Sequence, residues 1–159
     1  GSPSLTMIRI TLFLLWLLAT PCIAQTYALR KEHDSLYWLN DSRLPYSVYQ
    51  FQTGDVNGDG SEDAMVGVVK ATRFYPEKGR RLFIFKQVNG KVRPLWLGSK
   101  LVGILQYFRF VDGHIRSLET TADCLYVVAE YKWGGFGMTF DHYIIKGTDK
   151  ETATKYFSQ

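Results

Sequence analysis

From about residue 45 onward, apolar and polar positions fall into short runs bounded by turn residues. Residues 45–53 (PYSVYQFQT), 81–88 (RLFIFKQV) and 105–111 (LQYFRFV) are rich in β-branched and aromatic side chains. Runs of this length and composition predict β-strands. Residues 64–71 (AMVGVVKA) are almost continuously apolar and also predict a strand. The chain is therefore expected to be mainly β, with no long helix after the first 24 residues.

Two-residue turns divide these runs into hairpins. Asn-Gly at residues 89–90 and Asp-Gly at residues 112–113 are strong hairpin signals, and a pair of glycines stands at residues 134–135. The paired runs are residues 81–88 with 91–97, 105–111 with 114–120, and 124–133 with 137–147. The pattern predicts six to eight antiparallel strands. Residues 26–44 fit either a short helix or an irregular lead-in strand.

The amino-terminal segment has the features of an export signal. Residues 1–6 (GSPSLT) resemble a cloning scar, and residues 7–24 combine one arginine, an apolar run and a small-residue ending. This order predicts a secretory signal peptide that forms a helix outside the core and is cleaved after Ala24. The alternatives are a retained anchor, for which the apolar run before Pro21 is shorter than the roughly 20 residues of a span, and a lipoprotein that begins at Cys22.

Residues 25–159 are predicted to form one β-rich domain. The formal net charge of the whole chain is only +4 and the basic residues are spread singly apart from one short cluster, so nucleic-acid binding is not expected. The KGRR cluster at residues 78–81 is interpreted as a solvated hairpin tip, with contact to an anionic partner as the alternative. After signal cleavage only Cys124 remains, which excludes an intrachain disulfide. We expect it to be a buried, inert thiol rather than a reactive one.

The stretch at residues 54–69 (GDVNGDGSEDAMVGVV) concentrates acidic residues before an apolar run. Oxygen-bearing groups recur at alternate positions of the loop, counted from its first aspartate: Asp55, Asn57, Asp59, the carbonyl of Ser61, and Asp63. A hard cation such as Ca²⁺ takes six to eight oxygen ligands in this alternating way. Gly60 allows a sharp turn, and Glu62, at an even position, is expected to point outward. A metal-free, Asx-rich turn is the alternative.

The nine-residue pattern D-x-N-x-D-G-x-x-D, followed by MVGVV, resembles the FG-GAP/VCBS repeat, the calcium-loop blade unit of integrin-type β-propellers. The resemblance covers residues 51–69 and continues faintly to residue 85. It implies a calcium loop that joins adjacent strands of a four-stranded blade. An EF-hand would need a bidentate glutamate at the twelfth position, which is Val66, and a helix after it.

The resemblance and the chain length together define the expected architecture. A propeller blade is a four-stranded sheet, and the 135 residues left after the signal (159 − 24) hold about two blades. We expect blade-like four-stranded antiparallel units, arranged as two blades or as a small sandwich. The second half has Asp112-Gly113 but no alternating oxygen ligands, so it is at most a degenerate blade.

These features predict a non-catalytic, calcium-binding β-domain, secreted or placed in the bacterial periplasm or on the cell surface, that contacts a protein or glycan. Aromatic residues are numerous enough to supply a recognition face as well as a core: Tyr46, Tyr49, Trp96, Tyr107, Phe108, Trp133, Phe136 and Phe140. An envelope hydrolase is one alternative, although Asp141 and His142 are expected to face opposite sides of a strand. An assembly subunit that pairs through an exposed edge strand is another.

Overall fold

The computed structural model describes residues 26–71, 76–98 and 101–159. The predicted cloning scar and signal peptide lie outside these ranges, and no described helix is long and apolar enough to cross a membrane. The described strands are β1 (Leu29–His33), β2 (Leu36–Leu39), β3 (Ser42–Leu44), β4 (Ser47–Gly54), β5 (Asp63–Lys70), β6 (Gly79–Val88), β7 (Lys91–Leu97), β8 (Ile104–Val111), β9 (His114–Thr120), β10 (Tyr126–Trp133) and β11 (Met138–Thr148). A helix, α1 (Lys150–Ser158), follows them.

Eight of the strands form two four-stranded antiparallel sheets in which chain neighbours are also sheet neighbours. The first sheet has the order β4-β5-β6-β7, and the second has the order β11-β10-β9-β8. The hairpin turns have the expected geometry, because φ is 52° at Asn89, 78° at Gly90, 49° at Asp112 and 77° at Gly113. Positive φ at both central residues is the requirement of a type I′ turn. The prediction of antiparallel four-stranded units is confirmed.

The amino-terminal segment forms a third, smaller sheet with the order β1-β2-β3. The strand interpretation of residues 26–44 is therefore confirmed, and the helix interpretation is wrong. Leu39 and Leu44 of this small sheet are buried in one cluster with Val66 and Phe83 of the first four-stranded sheet. The small sheet thus covers one face of the larger one, which would otherwise expose its apolar side chains.

The two four-stranded sheets share a core on their facing sides. Met65 and Ile84 from the first sheet pack in one cluster with Phe108 and Ala129 from the second sheet. On β5, Met65 belongs to this shared core and Val66 to the cluster under the small sheet, because successive side chains point to opposite faces. Strand β5 is therefore buried on both faces, which explains its continuous apolar run.

The outer face of the second sheet is covered by α1, which the sequence analysis did not assign. Asp149 caps the helix, its side chain accepting a hydrogen bond from the backbone N–H of Thr152 at 2.7 Å. Ala153 is buried against Leu118 and Val128. The N-cap aspartate was the available sequence signal, but only nine residues follow it in the helix.

Side-chain amides of β4 bind the backbone of the edge strand β8. Gln50 donates through Nε2 to the Phe108 carbonyl and accepts from the Phe108 N–H at 3.2 Å. Gln52 makes the same pair of contacts with Phe110, at 3.4 and 3.1 Å. Each carboxamide thus occupies the place of a neighbouring strand's peptide group. This pairing protects an edge that would otherwise be open and joins the two sheets.

Candidate metal site

The acidic loop connects the adjacent strands β4 and β5. Gly54 ends β4 and is paired across the ladder with Asp63, the first residue of β5. The loop therefore begins and ends at one point of the first sheet, beside the core that this sheet shares with the second. This is the placement that the sequence analysis predicted for a loop between two strands.

Hydrogen bonds inside the loop bend its backbone around the aspartates. The Asp55 carboxylate accepts from the N–H of Asp59 at 3.1 Å and from the N–H of Gly60 at 3.0 Å. The Asp59 carboxylate accepts from the N–H of Ser61 at 2.9 Å. Gly58 and Gly60 adopt φ values of 71° and 88°, which an L-residue rarely adopts. The glycines allow the turn, and the aspartates hold it in shape.

Three carboxylates converge at the mouth of this loop. Asp55, Asp59 and Asp63 each offer an oxygen, and these oxygens lie within 4.8 Å of one another, as a metal site requires. Asp63 is 1% exposed. Its Oδ2 accepts a hydrogen bond from the Val56 N–H at 3.0 Å, whereas its Oδ1 has no hydrogen-bond partner among the described residues. The cluster could hold a metal ion, and Asp63 is its buried member.

The electrostatics of the cluster disfavour ionised Asp63 when no cation is bound. The pKa of Asp63 is raised to about 6, mainly by burial and also by the nearby Asp59 and Asp55, while the hydrogen bond from the Val56 N–H opposes the shift. Desolvation and like charge both favour the protonated form. A bound divalent cation would reverse this balance, because it would stabilise the charged carboxylate.

The other two predicted ligands, Asn57 and the Ser61 carbonyl, are not part of the carboxylate cluster. Asn57 lies in the loop, where its Oδ1 accepts from the Asp59 N–H at 3.3 Å, so its amide oxygen faces the same turn. Ligation by the Ser61 carbonyl stays a prediction. Glu62 is not a member of the carboxylate cluster, as expected for a residue that points away.

Tyr27 is a neighbour of the loop that the sequence analysis missed. Its hydroxyl donates to the backbone carbonyl of Glu62 at 3.0 Å. The pKa of Tyr27 is raised to about 12, mainly by burial and also by the charges of Asp63, Glu62 and Asp59. The contact joins residues 35 positions apart in the chain, and no local pattern indicates such a pairing. It fastens the segment before β1 to the acidic loop.

A second polar cluster lies on the second sheet and corrects one prediction. Asp141 and His142 were expected to face opposite sides, but the Asp141 Oδ2 and the His142 Nδ1 are 2.9 Å apart. The reason is a β-bulge: Tyr131 pairs with Phe140 and Glu130 with His142, which leaves Asp141 as the extra residue. The His142 hydrogen bond is the main cause that lowers the pKa of Asp141.

Residues of the neighbouring strands contact the Asp141–His142 pair, and these contacts give it a structural role. The Nζ of Lys132 is 3.3 Å from one Asp141 oxygen, and the Nε2 of His114 is 3.5 Å from the other. Glu130 contacts the Nε2 of His142 at 3.5 Å. The cluster thus connects strands β9, β10 and β11 through ion pairs and hydrogen bonds.

The aromatic residues singled out from the sequence separate into core and surface groups. Phe108 is fully buried and Trp96 is 8% exposed, so both belong to the shared core. By contrast, Phe136 is 98% exposed, Phe140 is 44% exposed and Tyr107 is 45% exposed. Tyr46, Tyr49 and Trp133 are half-buried. The prediction of surplus aromatic residues at the surface is right for part of the set and wrong for Phe108 and Trp96.

Two further expectations are wrong. Cys124 is exposed rather than buried. It precedes β10 with φ at 63° in a turn closed by the Thr121 N–H donating to the Leu125 carbonyl at 3.0 Å. The KGRR cluster is not a hairpin tip, because Gly79 begins β6 and Arg80 and Arg81 pair with Val69 and Val68 of β5.

A comparison of the chain with protein-family models, curated proteins and solved structures returns no match. The resemblance to the FG-GAP/VCBS repeat therefore rests on the loop residues and the strand that follows them.

Proposed function

We propose that this chain is a non-catalytic, calcium-stabilised β-domain that is exported to the cell envelope and contacts a protein or glycan partner there. The observation that carries the calcium assignment is the buried Asp63 carboxylate, which lies in the cluster with Asp55 and Asp59 and has one oxygen without a hydrogen-bond partner among the described residues. Three carboxylates this close repel one another, so a cation is the natural counterpart.

The donor chemistry of the cluster favours calcium over zinc among the common divalent ions. Ca²⁺ takes carboxylate, amide and carbonyl oxygens in flexible geometry. The carboxylate oxygens of the cluster lie within 4.8 Å of one another, which is close enough for them to share one ion. The donors are carboxylate oxygens, supplemented by the amide oxygen of Asn57, and the cluster includes no imidazole or thiolate that would favour zinc.

Thermal melts test the calcium proposal. If the ion binds only the folded state, calcium at about 100 times its dissociation constant adds about 2.7 kcal/mol to the free energy of unfolding. For a domain of this size the melting temperature then rises by about 10 °C. Magnesium should have much less effect, because it requires a tight octahedral shell and retains its waters.

Matched variants make the assay specific for the loop. Asp59→Ala should abolish the calcium effect because it removes a central carboxylate of the cluster. Glu62→Ala removes the same charge from a neighbouring side chain outside the cluster, so it should leave the effect nearly intact. Identical melts of the unmodified chain in calcium and in chelator would show that the loop is only a polar turn.

The partner contact is proposed at the exposed aromatic residues of β11 and the turn before it. Besides Phe136, the rings of Phe140 and Tyr143 lie at the surface with their centroids 4.8 Å apart. We call these three residues the aromatic edge. Strand β11 is an edge of its sheet, and exposed aromatic rings at an edge are typical of protein and glycan contacts.

Substitution at the aromatic edge separates recognition from folding. Phe136→Ser should leave the melting temperature unchanged, because the side chain is almost wholly exposed, while it should weaken retention on immobilised polysaccharides or envelope proteins. Retention unaffected by Phe136→Ser and by Tyr143→Ser would remove the aromatic edge from the proposal. Intact-mass analysis of envelope fractions tests export separately: the expected mature chain begins at Gln25.

A further inference from the structure

A shallow groove of about 290 Å³ lies beside the first residues of β6. Its lining residues are Pro76, Glu77, Lys78, Gly79, Arg81 and Ile104. It adjoins a smaller cavity that shares Arg81 and Ile104 and is also lined by Arg80. Neither the acidic loop nor the aromatic edge contributes a lining residue. The groove is therefore a separate feature, built on the KGRR cluster and the start of β8.

The charge of this region is positive, because the described residues that line the groove and the smaller cavity include Lys78, Arg80 and Arg81 but only one acidic residue, Glu77. A concave surface with excess charge of one sign concentrates ligands of the opposite sign. Arg81 is held in place by the backbone, because its two terminal nitrogens donate to the carbonyls of Arg80 at 3.0 Å and Glu77 at 3.2 Å.

Arg80 is held by cation–π contacts with two tyrosine rings. Its guanidinium carbon lies 4.6 Å from the ring centroid of Tyr49 and 4.6 Å from that of Tyr107. Its NH1 donates to the Gln106 carbonyl at 3.0 Å. These contacts order a cation in the smaller cavity that adjoins the groove. Arg80 therefore adds to the positive charge beside the groove.

An aliphatic side chain lies beside these cations. Ile104 lines the groove together with Lys78 and Arg81 and is 50% exposed. A ligand for this surface should therefore carry both an anionic group and an apolar group.

We propose that the groove binds an acidic peptide segment, with a carboxylate placed at Lys78 and Arg81 and an aliphatic side chain placed against Ile104. The volume lies near the lower limit of about 300 Å³ for small-molecule pockets, which suits one or two side chains. The concave shape favours an inserted side chain over an anionic membrane, because membrane insertion requires apolar residues that project outward.

Fluorescence anisotropy with the full chain tests this proposal. The probe is a fluorescein-labelled hexapeptide that alternates glutamate and leucine, and the matched peptide replaces each glutamate with glutamine. We expect the acidic peptide to bind about tenfold or more tightly than its neutral counterpart. Its affinity should fall as salt rises, because screening weakens contacts between exposed charges. No binding of the acidic peptide at about 1 mM would overturn the proposal.

Two variants locate the binding, and a third controls for net charge. Lys78→Glu and Ile104→Ser alter exposed side chains and should each weaken peptide binding by about tenfold while melting temperatures are retained. Lys91→Glu makes the same charge change outside the groove and should weaken binding less than about twofold. An equal loss in Lys91→Glu would show general electrostatic attraction and overturn the proposal. Binding to phosphatidylglycerol vesicles without peptide binding would identify a membrane-facing surface instead.

Discussion

The substitution Asp63→Asn is expected to stabilise the metal-free chain and to destabilise the calcium-bound chain. Asp63 keeps its proton in the folded, metal-free chain up to about pH 6, whereas its ordinary pKa is 3.8. The unfolded chain therefore loses this proton at a lower pH than the folded chain does. By linkage, the metal-free fold is most favoured by this group below about pH 4 and is destabilised as the pH rises from about 4 through 6.

The magnitude follows from the pKa difference. A shift from 3.8 to about 6 corresponds to about 3 kcal/mol at 1.36 kcal/mol for each pKa unit. Asp59 is exposed and Asp55 is half-buried, so solvent screens part of the repulsion at the mouth of the loop. We therefore expect Asp63→Asn to stabilise the metal-free chain by about 2 kcal/mol at pH 7 and to have little effect at pH 4. In calcium it should be destabilising, because a ligand is lost.

Urea denaturation followed by tryptophan fluorescence measures these differences. The unmodified chain and Asp63→Asn are compared in chelator at pH 4 and pH 7, and at pH 7 with calcium. Asp41→Asn serves as the control, because it removes a carboxylate from an exposed turn outside the cluster. A metal-free Asp63→Asn that is less stable than the unmodified chain at pH 7 would refute the claim that ionised Asp63 is disfavoured in the empty loop.

Three further results are expected. Gln50→Ala should lower the free energy of unfolding in urea by about 2 kcal/mol, because it removes both hydrogen bonds to the buried backbone of Phe108; a loss below about 0.5 kcal/mol would contradict this. Gly137→Ala should destabilise by about 1–3 kcal/mol and alter the emission of Trp96, because the added Cβ would lie 2.5 Å from the indole ring; an unchanged melt and spectrum would contradict the close packing. In hydrogen exchange, calcium should increase the protection of β5 amides, while equal protection in chelator would separate the loop from the core.

The fold was predictable where side-chain pattern and turn chemistry act locally. Apolar runs and the turns at Gly90 and Gly113 identified the hairpins of both sheets, because a type I′ turn requires residues that accept positive φ. The pattern did not identify the layers, since a run such as residues 64–71 is apolar whichever elements cover its two faces. The pattern also did not show where β10 begins. Cys124 has strand-like neighbours in sequence, but it is exposed in the turn before that strand.

The candidate metal site was predictable because all of its carboxylates lie within nine consecutive residues, so their meeting needs only a turn. The surroundings of the site depend on contacts between distant parts of the chain. The burial of Asp63 follows from its position at the start of β5, and the Tyr27 contact crosses from the segment before β1. The bulge at Asp141 depends on pairing between β10 and β11. These features follow from tertiary structure, and local spacing carries no signal for them.

The position of Asp63 decides how a bound ion would act on the whole fold. Asp63 is both a member of the carboxylate cluster and the first residue of β5, the strand that contributes to the shared core on one face and to the cluster under the small sheet on the other. At the residue before Asp63, the Tyr27 hydroxyl connects the Glu62 carbonyl to the segment that leads into the small sheet. A cation that fixes the loop would therefore restrain both the first four-stranded sheet and the small sheet, because both are connected to the loop. For that reason, calcium should raise the stability of the cooperative unit rather than order the loop alone.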